Sequence, residues 1–318
     1  MLVRLLLVSA VSLGLLTACL PVEGPGGPGV PGPGCGKTRV GDAFEYPVLL
    51  DVGELTRRYA LRVPENYDKN RPYPVVLIFH GDADCEEFDD VDDVCLRPQA
   101  AAPGTRDAFG LEPLIGDDAV LVYVEGHNLN AFEPRLLSWD TFRPAGANPD
   151  FAFVDAILAE LDDELCVDAA RTFAVGFSGG GFFADSLACL HGGLTGVATF
   201  EGGFEAGELE ISFDADNVVD LAGCAPDAPA ALVIHAADDN VVPPRYGSDA
   251  AEHFRTANGC AAETVPSDLD DDCEAFVGCR AGGDTVLCTP ASADPPRTHA
   301  VWQPEGSLVL SSFLQSQF

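Results

Sequence analysis

A serine, an imidazole and a carboxylate brought together can make an alcohol nucleophilic, and this chain carries one set in a suggestive order. The serine is Ser178, in Gly176-Phe177-Ser178-Gly179-Gly180. A serine hydroxyl is a weak nucleophile at neutral pH. It needs a base within hydrogen-bond reach and a group that orients the base. Of the 6 histidines, His299 is the one that lies in a loop near the chain end after an acidic candidate, Asp239. The order Ser178, Asp239, His299 would support acyl transfer through a covalent serine ester. Such a base works only when neutral, so activity is expected to rise with pH through the ordinary imidazole range, roughly 6.5.

The residues around Ser178 predict how it is presented. Thr172 to Phe177 is a short apolar run that reads as a strand, and Phe182, Phe183, Ser186, Leu187 and Leu190 follow with helical spacing. Strand, sharp turn and helix are the context that gives G-x-S-x-G its meaning. Gly176 and Gly180 lack a Cβ, which lets strand and helix approach each other. The N–H of Gly179 opens the helix and is expected to serve a developing oxyanion. Loss of one such donor is worth roughly 10²–10³ in rate.

Other runs supply the frame, a mostly parallel sheet flanked by helices in the α/β class. Thr56 to Pro64 alternates as an antiparallel strand, whereas Pro74 to Phe79 (PVVLIF) is continuously apolar, as in a strand covered on both faces. That second strand delivers His80-Gly81-Asp82 to the carboxyl edge, where the N–H of Asp82 is the expected second oxyanion donor. Ala119 to Val124 leads to His127, read as a loop histidine, and then to Ser138-Trp139-Asp140. Trp139 either lines a substrate cleft or packs in the core. Asn148-Pro149-Asp150 starts a helix to about Leu165, with Asp150 as its expected cap. Gly196 to Phe200 and Ala228 to His235 are further strands. Gly247 to Ala257 is a helix on which His253 is structural, and Glu305 to Leu314 is the last helix. Cys260 to Cys288 shows little periodicity. An acidic residue on the loop after Ala228–His235, such as Asp239, stands at the correct edge to orient a histidine.

Composition narrows the setting. The 318 residues are 47% apolar, enough for one large domain. The net charge of −34 excludes nucleic acid as a natural partner and disfavours anionic polymers. Acidic runs at Asp82 to Asp93 and Asp268 to Asp272 do not match an EF-hand and read as solvated loops, not calcium or other metal sites. Arg4 and the apolar Leu5 to Leu16 form a targeting segment too short to span a bilayer, so residues 1–18 read as a signal peptide. Leu16-Thr17-Ala18-Cys19 resembles a bacterial lipobox, with Cys19 lipidated and the membrane reached only through that anchor. Residues 19–36 read as a Pro/Gly-rich tether and 37–318 as the catalytic domain. Setting Cys19 aside leaves an even number of cysteines, which suits an exported, oxidising setting. From geometry, Cys166 and Cys189 are expected to pair. The strand rises about 20 Å, the helix falls about 17 Å, and both cysteines return to one edge. Cys85 with Cys95 is a pairing suggested by proximity alone.

Taken together, several segments resemble one family. They are Tyr59-x-Leu61-x-Val63-Pro64, Val75 to Gly81, Asn148-Pro149-Asp150-Phe151-x-Phe153-Val154, Cys166-Val167-Asp168 through Ser186-Leu187-Ala188-Cys189, and His235 through Val242-Pro243. The family is the secreted esterases grouped as polyhydroxybutyrate depolymerase-like, feruloyl and acetylxylan esterases. The resemblance implies an α/β-hydrolase fold with Ser178 as nucleophile, His299 as base and Asp239, three residues before Val242, as the acid. His80 and Trp139 are the candidate substrate-binding residues. Two positions depart from the family: Asp82 stands where a cysteine is frequent, and one extra residue separates His299 from Trp302. The expectation is a monomeric, extracytoplasmic, lipid-anchored serine esterase without a cofactor. A peptidase on the same fold and a catalytically silent surface-binding lipoprotein are the competing readings.

Overall fold

In a computed structural model, the described residues are 29–84, 109–127, 136–141, 143, 145–204, 228–291, 299, 301–302 and 304–318. The signal segment with Cys19, and Cys85 with Cys95, lie outside them. The strands in chain order are β1 (Phe44–Val52), β2 (Leu55–Arg62), β3 (Tyr73–Phe79), β4 (Ala83–Asp84), β5 (Val120–Val124), β6 (Leu136–Leu137), β7 (Val167–Phe177), β8 (Gly196–Phe200), β9 (Ala230–Ile234), β10 (Thr264–Pro266), β11 (Cys273–Phe276) and β12 (Thr285–Cys288). The helices are α1 (Glu112–Ile115), α2 (Pro149–Glu164), α3 (Gly179–Ser186), α4 (Arg245–Ala257) and α5 (Glu305–Gln317).

Ten strands form one sheet in the order β1-β2-β5-β3-β7-β8-β9-β12-β11-β10. From β5 to β12 the pairs are parallel, and the strands at both edges are antiparallel. The continuous apolar runs occupy the parallel centre because both their faces are covered. Val75, Leu77 and Phe79 point into one core with Phe151, Val154 and Ile157 of α2, Phe183 of α3 and Phe254 of α4. Val76 and Ile78 point into the opposite core with Ile115 of α1 and Val309, Leu310 and Phe313 of α5. Period-two alternation thus loads two layers of helix from a single run of apolar residues.

Three local features differ from the sequence-based expectation. The cap of α2 is Asn148, whose Oδ1 accepts from the N–H groups of Asp150 (2.9 Å) and Phe151 (3.1 Å). Asp150 is released for a buried ion pair with Arg57 (2.7 Å). The stretch Cys260 to Cys288 contributes β10, β11 and β12, short strands whose register is supported by the Cys273–Cys288 and Cys260–Cys279 disulfides. Apolar alternation contributes little there, which is why the pattern is silent.

The third difference is a correction. Cys166 pairs with Cys35 and not with Cys189, which is itself disulfide-bonded. The end of the Pro/Gly stretch lies along the lower edge of the body. Val30 N–H donates to Asp168 Oδ2 (2.9 Å), Gly32 N–H to Val167 O (3.1 Å) and Gly34 N–H to Asp162 O (2.8 Å). These bonds carry Cys35 to the foot of β7, where it takes the Cys166 thiol.

Candidate active site

The parallel register explains where the chemistry gathers. Phe177 of β7 is level with Phe200 of β8, and Phe200 with Ile234 of β9. The next residues along these strands, Ser178, Glu201 and His235, therefore emerge side by side at the carboxyl edge. Ser178 adopts φ 52°, ψ −123° at the junction of β7 and α3. A non-glycine residue in that region carries roughly 1–3 kcal/mol of strain. Its surroundings hold it there: the Ser178 N–H donates to Phe200 O (2.9 Å) and the Phe182 N–H to Ser178 O (3.0 Å). A Cβ on Gly176 would collide with the Gly180 carbonyl, and one on Gly180 with the carbonyls of Phe79 and His80. Both glycines are thus required by the close approach of helix and strand.

Ser178 Oγ lies 2.9 Å from His299 Nε2, and His299 Nδ1 lies 2.7 Å from Asp239 Oδ2. The other oxygen, Asp239 Oδ1, accepts from the N–H groups of Val241 (2.8 Å) and Val242 (3.1 Å). With Asp239 Oδ2 accepting at Nδ1, the ring proton sits there and Nε2 is left to accept from the serine. Burial pushes the Asp239 carboxyl up. Hydrogen bonds from His299 and Val241, with Glu201 beside them, outweigh burial and hold it below the ordinary carboxylate range. The Phe177 ring packs beside His299, with ring centres 5.0 Å apart.

The two expected oxyanion donors, the N–H groups of Gly179 and Asp82, form no hydrogen bond with another described residue. The Asp82 carboxylate accepts from Ser138 Oγ (2.7 Å) and lies against the place a Gly179 side chain would fill. Ser138 is held in turn by paired backbone bonds with His127 (2.9 and 3.1 Å).

His80 and Trp139, the candidate substrate-binding residues, are buried. They are 4% and 3% exposed. The Trp139 indole donates to His80 O (2.8 Å), and its ring stacks on Phe183 and meets Phe79 edge-on. His80 Nδ1 faces Gly81 O (2.5 Å), and Nε2 accepts from the Gly126 N–H (2.9 Å). Burial holds the His80 imidazole below its ordinary value, hence neutral, which this donor–acceptor pattern requires. The two residues brace the loop that carries Asp82.

A residue without a signal in the linear pattern is Glu201. It is 1% exposed at φ 53°, and its oxygens accept from the Ala236 N–H (3.2 and 3.1 Å). His235 Nε2 lies 3.4 Å from both Glu201 Oε2 and Asp239 Oδ2. What marks Glu201 is its register: a charged residue directly after a buried strand, level with Ser178. Glu201, His235 and Asp239 each offer one atom within 4.8 Å of the others, as a metal site would. Their donor atoms are already engaged, however. His235 Nδ1 and Nε2 face Gly202 O (3.2 Å) and Val242 O (3.0 Å), and Asp239 serves His299 and two backbone amides.

Comparison with known proteins agrees with this geometry. No family model matches the chain. Feruloyl esterase C of Emericella nidulans is 31% identical over 236 residues, covering 73% of this chain and 71% of the relative. Among solved structures, the acetyl xylan esterase of Aspergillus awamori superposes with TM-score 0.56 at 12% identity, covering 80% of this chain and 94% of the other. A ferulic acid esterase of Anaeromyces mucronatus superposes with TM-score 0.52 at 17% identity, covering 85% and 90%. The fold is that of the α/β-hydrolases, and the chain is a carboxylic ester hydrolase. Level strand ends, a strained serine between close-packed glycines and a relative alike over most of both chains converge on one conclusion: this chain belongs to the feruloyl esterase family.

Proposed function

We propose that the protein is a serine esterase that releases hydroxycinnamoyl or acetyl groups from polysaccharide esters, with Ser178, His299 and Asp239 as its catalytic residues. Ser178 Oγ attacks the ester carbonyl carbon while His299 Nε2 takes the hydroxyl proton. The tetrahedral oxyanion is received by the N–H groups of Gly179 and Asp82. His299 then gives the proton to the departing alkoxide, and the C–O bond breaks to leave an acyl-serine. Water, deprotonated by the same nitrogen, attacks that acyl group and releases the acid and Ser178. Asp239 keeps the imidazole in the required tautomer throughout.

The observation that carries this reading is the Ser178–His299–Asp239 relay at 2.9 and 2.7 Å. Its substrate class is taken from the feruloyl esterase and acetyl xylan esterase names of the similar proteins. Export with lipidation at Cys19, a monomeric enzyme and an uncharged carbohydrate ester as partner complete the proposal. A strongly acidic chain would repel anionic polymers.

The test offers purified protein methyl ferulate, an aryl acetate, acetylated xylan, hydroxybutyrate oligomers and a peptide amide, with Ser178→Ala alongside. Hydrolysis of ferulate or acetate esters that vanishes in the variant is the expected result. Cleavage of the amide without the esters, or no turnover at all, overturns the reading in favour of a peptidase or a silent scaffold.

A further inference from the structure

The group behind the acid is more elaborate than orienting an imidazole demands. Glu201 Oε2 and Asp239 Oδ2 both lie 3.4 Å from His235 Nε2, so two buried carboxyl groups face each other at a range where they can hydrogen-bond directly. Two carboxyl groups can share such a bond only if one of them carries a proton. Asp239 has reasons to be the ionised one: His299 Nδ1 at 2.7 Å and two backbone amides face it. Glu201 has none of comparable strength. It is 1% exposed, one backbone amide faces it, and Asp239 and the exposed Asp238 add negative potential. Burial first, then the bond to Asp239, pushes the Glu201 carboxyl up to about 9. His235 closes the other side, and burial holds its imidazole below the ordinary value.

The backbone is shaped around this arrangement. Glu201 holds a positive φ of 53°, and its N–H donates to Ile234 O (2.9 Å). Gly202 beyond it rests against Gly181 of α3. A non-glycine residue kept in this conformation, with its side chain aimed at the catalytic acid, is strain retained at a site.

We infer that Glu201 is a positioning residue of the relay: protonated and buried, it donates a hydrogen bond to the Asp239 carboxylate and, with His235, fixes the rotamer that faces His299. Asp239 would otherwise turn between His299 and the neighbouring backbone amides. The proton on Glu201 also spares His299 a second negative charge nearby. The inference rests on the Ser178–His299–Asp239 reading.

Glu201→Gln and Glu201→Ala separate a positioning role from a structural one. A glutamine amide donates to Asp239 as the protonated acid does, and its oxygen still accepts from Ala236. Glu201→Gln is expected to keep kcat and the acid limb of kcat/KM where they are in the wild type. Glu201→Ala removes the donor and is expected to lower kcat roughly ten- to a hundredfold with KM little changed. If glutamine falls as far as alanine, or moves the acid limb about one unit lower, Glu201 is ionised in the active enzyme and the inference is overturned. Should Glu201→Ala not fold, the glutamine variant alone decides. An alanine variant with wild-type kcat also overturns it. Fluorophosphonate labelling of wild-type Ser178 distinguishes the two levels. Labelling with unresponsive Glu201 variants sinks the inference alone, and hydrolysis without labelling sinks the relay and the inference together.

Discussion

Asp239→Asn provides the sharpest test of the proton inventory at the relay. An asparagine there can orient in two ways, and the structure selects one. Asp239 Oδ1 accepts from the N–H groups of Val241 and Val242 at 2.8 and 3.1 Å. An amide nitrogen in that position would oppose two donors, so the Asn oxygen must take it. The NH₂ group is then forced to the Oδ2 position, 2.7 Å from His299 Nδ1. Nδ1 must become the acceptor, the ring proton moves to Nε2, and Nε2 points it at Ser178 Oγ 2.9 Å away. The base is then blocked without any change of shape. In Ser-His-Asp relays the amide isostere lowers kcat by about 10⁴, equivalent to about 5 kcal/mol of transition-state stabilisation. The assay is steady-state hydrolysis of methyl ferulate by wild type and variant, with circular dichroism to show that both are folded. A folded variant that loses less than about tenfold in kcat would refute the tautomer argument.

Three further outcomes follow from other parts of the molecule. Arg57 and Asp150 form an ion pair with side chains 4% and 1% exposed, so Arg57→Met leaves a buried carboxylate without its cation. Unfolding stability should fall by about 3–5 kcal/mol in urea titration, and Arg57→Met/Asp150→Leu should recover much of that. An unchanged midpoint in the single variant refutes the pair's importance. Asp82→Asn keeps an acceptor for Ser138 and removes a negative charge beside the developing oxyanion. Its kcat should rise severalfold, more at low salt, and a fall would contradict the oxyanion assignment. Glu201, raised to about 9, binds a proton in the folded state that the unfolded chain gives up near 4.5. Between those values the folded state holds more protons, so its contribution to stability is lost as pH rises. Glu201→Gln should therefore gain stability over wild type from pH 5 to 9, by a few kcal/mol in order of magnitude, and a constant difference would contradict a buried neutral acid.

The linear pattern carried the centre of the fold and little of its edges. Pro74–Phe79, Ala119–Val124 and Gly196–Phe200 were legible because a strand covered on both faces must be largely apolar, and all three lie in the parallel core. β10 to β12 were not legible, since short strands at a sheet edge bury little and two disulfides support their register. Ser178, Asp239 and His299 could be proposed because each follows a strand or precedes a helix in chain order. Glu201 escaped because its meaning lies in register, level with Ser178 across two strands, and register is a property of pairing. His80 and Trp139 are both buried, and of the two places open to Trp139, cleft or core, the structure shows the core. A tryptophan at a loop edge and a histidine after a strand carry no mark of which way they turn. The pairing of Cys166 depended on Cys35, whose segment docks through backbone hydrogen bonds that composition does not encode.

The claim that everything else depends on is that Ser178 is made nucleophilic by His299. Wild-type protein and His299→Ala should be treated with a fluorophosphonate, digested, and the adduct located by mass spectrometry. The expected result is rapid stoichiometric phosphonylation of Ser178 in the wild type and labelling slowed by orders of magnitude in the variant. Modification elsewhere, or equal labelling of Ser178 with and without the imidazole, would contradict the account.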